Sequence, residues 1–157
     1  MVPMAAHSFA LVPSSYVLLL RGREVLLQRR HHTGYMDGFW VAGSAGHVEP
    51  GETARHAAIR EAREELGVNI ASAGLELVTV MQRTDGTDTP REQRVDWFWA
   101  CRSWAGEPRI CEPGKASHLE WFPLDSLPSP IPDYERLVLE GLRDGDLTPD
   151  TAVGFGD

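Results

Sequence analysis

Short apolar runs alternate along the chain with polar breaks rich in Gly and Pro, a rhythm of strands more than of long helices. Tyr16–Leu20 and Val25–Gln28 flank the polar residues Arg21–Glu24 and predict a hairpin with Gly22 in its turn. A polar loop follows, and Phe39–Gly43 predicts a short strand that runs into a Gly-rich turn. Leu75–Gln82 and Val95–Cys101 predict two further strands, joined by a loop over 83–92 that Gly86 and Pro90 punctuate. In the second of these, Trp97 and Trp99 alternate with Phe98, so the two tryptophans share one sheet face. Leu119–Phe122 is another short strand, and the prolines of 123–132 forbid regular structure there.

In two stretches the period changes. Ala54, Ala58, Ala62 and Leu66 recur every four residues, predicting a helix from about Thr53 to about Leu66. Thr53 is its candidate N-cap, and Gly67 with Val68 after it suits a Schellman ending. From Asp133, a candidate N-cap, Leu137, Val138 and Leu142 fall roughly on one helical face. The text from Asp146 is rich in Gly and Asp and predicts a flexible tail over 146–157, behind a single domain over 1–145. No internal repeat interrupts this order of strands and two helices, which predicts an α/β layered sandwich.

The first helix carries an oddity. Glu61, Glu64 and Glu65 stand in its final turns, where the helix dipole is negative and acidic side chains are disfavoured by about 0.3–1 kcal/mol each. Related by i, i+3 and i, i+4, they can converge on one point beside the helix. Taken alone, "REAREEL" also describes an exposed, charge-laced face, of which proteins have many. Convergence has a second reading, because a hard cation such as Mg²⁺ or Mn²⁺ turns carboxylate repulsion into coordination.

Composition narrows the partners. With a net charge of -8, the chain lacks the basic surface a polymeric nucleic-acid binder needs, but it can take a small phosphorylated substrate if a metal or local arginines mask the repulsion. Cys101 and Cys111 are too few for a disulfide framework and fit no metal-ligand spacing, which points to plain thiols in a reducing cytoplasm. No apolar run reaches membrane-spanning length. The first residues lack a basic start and are broken by proline and serine, so they read as a lead-in to a strand and not as a signal peptide.

The text upstream of the glutamates decides between the two readings of that helix. Gly46, five residues, Glu52, seven residues and then Arg60-Glu61-Ala62-Arg63-Glu64-Glu65-Leu66-Gly67-Val68 resemble the Nudix box at every specified position. The resemblance extends to the order of elements over about residues 10 to 145, and implies an αβα sandwich with a mixed β-sheet between helices. It also implies cleavage of a diphosphate linked to another moiety, by water attack at phosphorus, with Mg²⁺ or Mn²⁺ as cofactor. Carried over, the metal ligands are Glu61, Glu64, Glu65 and the backbone carbonyl of Ala45. One of these glutamates, or a more remote carboxylate, deprotonates the water; Arg60 orients the glutamates, and Glu52 is the supporting acid. In one place the chain departs from many members, reading "AGSAG" over Ala42–Gly46 where they have Pro-Gly-Gly. A carbonyl ligand does not depend on its side chain, but the altered loop bears on metal number and substrate approach.

Outside the box, "WAGEP" at 104–108 resembles a segment of MutT-like members that is followed by a further metal-binding acid, which makes Glu112 the candidate. Arg29 and Arg30 end a strand facing the expected cleft and suit a substrate phosphate; Trp40 suits a base. His31, His32, His47 and His56 have no zinc-like spacing and read as structural or exposed, and Lys115 as exposed. Downstream of the box the next proline is Pro90 and the next tyrosine Tyr134, which fits neither the ADP-ribose nor the diadenosine-polyphosphate subfamily pattern. A MutT-like nucleoside-triphosphate pyrophosphohydrolase leads by elimination. Hydrolysis of another nucleoside-diphosphate-linked compound and a non-catalytic metabolite sensor are the alternatives, and the family also admits a homodimer.

Overall fold

A seven-residue stretch buried on both sides, Ser14–Leu20, shows where the centre of the molecule lies. It belongs to β1 (Val12–Arg21), and a strand buried on both faces reads as a continuous apolar run, as "YVLLL" does. The computed structural model describes residues 8–156; the first residues of the expected lead-in, up to residue 7, lie outside the described residues. The remaining elements are β2 (Glu24–Arg30), β3 (Trp40–Ala42), β4 (Ser44–His47), α1 (Ala54–Leu66), β5 (Leu75–Arg83), β6 (Arg94–Cys101), β7 (Ala116–Pro123), α2 (Asp133–Asp144) and β8 (Asp150–Val153).

The sheet is mixed. Its main path runs β3-β2-β1-β6-β5-β8, with β4 beside β1 and β7 beside β2. β1 runs parallel to β6 and antiparallel to β2 and β4; β5 is antiparallel to β6. Alternation along β1 feeds a core on each face. Tyr16, Leu18 and Leu20 join Phe98, Ala100 and Met81 under Val138 and Leu139 of α2. Val17 and Leu19 join Trp99 and Cys101 under Ala58, Ala62 and Leu66 of α1. Two helices on opposite faces of a mixed sheet make the expected αβα sandwich, with the Trp97/Trp99 and Phe98 faces as the alternation predicts.

Five details differ from the sequence reading. β1 begins at Val12, four residues early, because pairing with β6 continues through Pro13, whose carbonyl accepts from the Val48 N–H. Ser44–His47, expected as a turn, is a strand, because β1 supplies a partner over Ser14–Val17. The N-cap of α2 is Pro132, whose carbonyl accepts from the Glu135 and Arg136 N–H groups, and Asp133 sits in the first turn instead. The buried face of α2 carries Val138 and Leu139, while Leu137 is exposed. Within the stretch expected to be flexible, Asp150–Val153 forms β8, parallel to Val80–Arg83, with the Thr79 and Thr151 hydroxyls 3.1 Å apart.

Candidate active site

Local chemistry sets the boundaries of α1. The Thr53 hydroxyl accepts the His56 N–H at 3.0 Å, as an N-cap should. At the other end Gly67 takes the left-handed conformation (φ 69°) and donates to the Arg63 carbonyl, an αL ending where a Schellman motif was expected. The last carbonyls of the helix are met by a separate segment: Arg109 N–H donates to Leu66 and Cys111 N–H to Glu65, each at 3.0 Å. Asn69 and Ala105 exchange two further bonds at 2.9 Å, and the Arg109 guanidinium lies where a side chain on Gly67 would project. The 105–112 segment is therefore pinned to the C-terminus of α1, and it carries Glu112 toward the box glutamates.

On α1 itself, Arg60 is the hub of the carboxylates. Its guanidinium binds Glu52 through two nitrogens at 2.7 and 2.9 Å, Glu61 at 2.8 Å, Glu64 at 3.3 Å and the His47 carbonyl at 3.1 Å. The hydrogen bonds from Arg60, helped by the Glu49 N–H, hold the Glu52 carboxyl down at about 2. Glu61 in turn lies against Gly46, at the place a Cβ would occupy, so only glycine lets β4 pass this close to the carboxylate. The backbone at Gly46 is not in the left-handed region, so its requirement for glycine is one of space.

Glu65 carries the strain of the cluster. Burial, then the neighbouring Glu61 and Glu112 carboxylates, push its carboxyl up to about 9, while the Gln28 amide, 3.3 Å from Oε2, pulls it down. Glu112 thus stands close enough to be felt electrostatically, and its own carboxylate pairs with Lys115 at 2.9 Å.

Gln28, Arg60, Glu61, Glu64, Glu65 and Glu112 line a cleft of about 1010 Å³ together with Ala45 and Gly46, while Glu52 lies outside the lining. Arg30 also lines it, bonded through Nε to the Tyr35 carbonyl at 2.7 Å. Arg29 and Trp40 lie outside the cleft lining: Arg29 bonds the Gly38 carbonyl, and Trp40 packs edge-on to Phe122 with ring centroids 4.8 Å apart. His32, His47 and Lys115 reach the cleft; His31 stacks on His32 at 3.6 Å.

Another part of the cleft lining has no signal in the sequence. Arg83 pairs with the fully buried Asp96, donates to the Tyr16 hydroxyl at 3.2 Å and sits 3.8 Å from the centre of the Tyr134 ring. Burial raises the Tyr16 hydroxyl to about 12. Burial likewise raises Glu135, only 3% exposed, to about 7, against the pull of the Ala42 N–H that it accepts at 2.7 Å. These residues come from four elements, β1, β5, β6 and α2, and only the alternation in β1 and β6 hints at which of them face inward.

The donor set fits a hard divalent cation: every candidate ligand is an oxygen, four are carboxylates, and Glu65 is held in a state that nearby positive charge would relieve. Among the described residues no three acidic or histidine side chains already surround one point, with Glu61 and Glu64 turned onto Arg60. Holding a cation would require those two carboxylates to turn from the guanidinium toward Glu65.

A family model described as NUDIX domain matches residues 11–142. An NAD-capped RNA hydrolase NudC of Stutzerimonas stutzeri is 31% identical over 123 residues, which cover 78% of this chain and 40% of that protein. The protein of the same name from Chromobacterium violaceum is 32% identical over 129 residues, covering 80% and 44%. The chain therefore spans about two fifths of the length of the curated relatives it matches. Among solved structures, a MutT NUDIX hydrolase from Burkholderia pseudomallei is similar with a TM-score of 0.75 at 29% identity, covering 83% of this chain and 97% of that one.

Proposed function

Because the chain belongs to the Nudix family of hydrolases, enzymes that act on diphosphate bonds, we propose that it hydrolyses a nucleoside triphosphate to the nucleoside monophosphate and pyrophosphate, with Mg²⁺ or Mn²⁺. The observation that carries this reading is that Glu61, Glu64, Glu65 and Glu112 line one cleft, with Glu65 pushed up to about 9 by burial and its acidic neighbours. Glu61, Glu64, Glu65, Glu112 and the Ala45 carbonyl would hold the cation. When bound, it would neutralise phosphate charge and lower the pKa of an attacking water. Arg60, fixed by Glu52, sets where the carboxylates of Glu61 and Glu64 can point. Glu64, exposed and held only at 3.3 Å, has an oxygen available to take the proton of the water. Arg30, the last residue of β2 and part of the cleft lining, would bind a phosphate oxygen.

A second reading has its own support. The relatives named NAD-capped RNA hydrolase NudC favour a nucleoside diphosphate linked to another group, including a capped RNA end. A panel of nucleoside triphosphates, nucleotide sugars, ADP-ribose, dinucleotides and capped RNA, run with Mg²⁺, Mn²⁺ or EDTA and read by ³¹P NMR, separates the two. Metal-dependent pyrophosphate release from a triphosphate is the expected result, with Glu64→Gln slower by orders of magnitude. Two monophosphate products from a linked diphosphate would replace the first reading with the second. Equal turnover in EDTA, or in Glu64→Gln, would overturn both.

A further inference from the structure

Two polar side chains near the carboxylates have no part in the reaction described above, Gln28 and Glu135. Gln28 lies in β2 opposite Val41 of β3, half-buried, and its amide nitrogen serves two acceptors. It is 3.3 Å from Glu65 Oε2 and 3.4 Å from the Ala42 carbonyl oxygen. Both bonds are long, as expected when one NH₂ group spreads its two hydrogens between acceptors on either side. Glu135, in the first turns of α2, is buried and accepts the Ala42 N–H at 2.7 Å. The backbone of Ala42 is thus held on both sides of its Cα, from α2 through its N–H and from β2 through its C=O. Three residues later the next strand, β4 on β1, delivers Ala45 and Gly46 to the cleft.

The neighbours of Glu65 make the consequence specific. Its neighbours Glu61, one turn earlier on α1, and Glu112 are both acidic, and among the described residues the Gln28 amide donates a hydrogen bond to it. A carboxyl group among acidic neighbours keeps one orientation only where a neutral donor fixes it from behind. We propose that Gln28 is a positioning residue: its amide fixes Glu65 from behind and ties that carboxylate to β3, which Glu135 braces from α2, so that the α1 glutamates and the Ala45 carbonyl keep one mutual geometry. The inference rests on the reading of the carboxylate cluster as a metal site. Hydrogen-bond partners behind ligating carboxylates are worth about 10–100-fold in metal affinity when removed.

The test is a double-mutant cycle read by Mn²⁺ binding, using electron paramagnetic resonance of free Mn²⁺ and calorimetry on the full chain, with thermal unfolding to confirm the fold. Gln28→Met keeps the volume and removes the donor. Gln28→Met should weaken Mn²⁺ binding about tenfold. In a Glu65→Gln background Gln28→Met should change the remaining affinity by less than about twofold, because the carboxylate it positions is gone. A folded Gln28→Met protein with unchanged affinity overturns the proposal, as does an equal loss in both backgrounds, which would mark a merely structural role. If the unmodified chain binds no Mn²⁺, the metal-site reading itself fails and this inference falls with it.

Discussion

Glu65 makes a prediction about stability that is opposite in sign to its contribution to function. Its carboxyl titrates near 9 in the folded chain against an ordinary 4.5, because burial and two neighbouring carboxylates penalise its charge. The folded state therefore holds a proton that the unfolded state has released, and stability falls as pH rises from 4.5 toward 9. Each pH unit inside that window removes about 1.4 kcal/mol. By pH 8 the sum is roughly 5 kcal/mol as an upper bound, and about half of that if the cluster relaxes. Glu65→Gln keeps the shape without the charge. In EDTA it should raise stability by roughly 2–5 kcal/mol at pH 8 and leave it nearly unchanged at pH 4.5, a large share of a typical total. Urea unfolding of both proteins at a series of pH values measures this, and taking their difference cancels other titrating groups such as Glu135. Saturating Mg²⁺ should stabilise the unmodified chain at pH 8 and do little for Glu65→Gln. If Glu65→Gln is no more stable than the unmodified chain at pH 8 in EDTA, Glu65 is not the strained group and the argument fails.

Two further outcomes follow from the same geometry. Gly46→Ala should drive the Glu61 carboxylate from its place and weaken Mn²⁺ binding at least tenfold, with only a modest fall in Tm because the backbone there is ordinary; calorimetry and thermal unfolding check the two halves separately. Arg60→Ala removes two short bonds to Glu52 and one to Glu61, all half-buried, and should lower stability by about 3 kcal/mol in urea; NMR titration should find Glu52 risen from about 2 toward the usual carboxylate range.

The sequence was most informative where local rules act. Thr53 and Gly67 bound α1 because capping is decided within a few residues, and the glutamate spacing fixes which side chains share a face of that helix. The hairpin and the alternation of Trp97, Phe98 and Trp99 were legible for the same reason. Where a partner strand decides the outcome, the text misled. "SAGH" reads as a turn until β1 pairs with it, and the polar Asp150–Val153 becomes a strand because β5 offers a parallel edge. The Arg83, Asp96, Tyr16 and Glu135 network could not be seen at all, because no spacing along the chain announces contacts between residues as far apart as Tyr16 and Arg83. Arg29 lies outside the cleft lining because alternation in β2 sends it to the side opposite Arg30, and Trp40 because its ring packs on Phe122.

The segment pinned to the end of α1 should leave its mark on which changes the chain tolerates. Between Ala105 and Glu112 the contacts with α1 are mostly peptide groups and glycine backbone, so the identities of exposed residues such as Glu107 are nearly free. The number of residues is not free, because each one advances an extended chain by about 3.3 Å and a single insertion or deletion would carry Glu112 out of reach of Glu65. A library of variants through this loop should therefore accept many substitutions and almost no change of length.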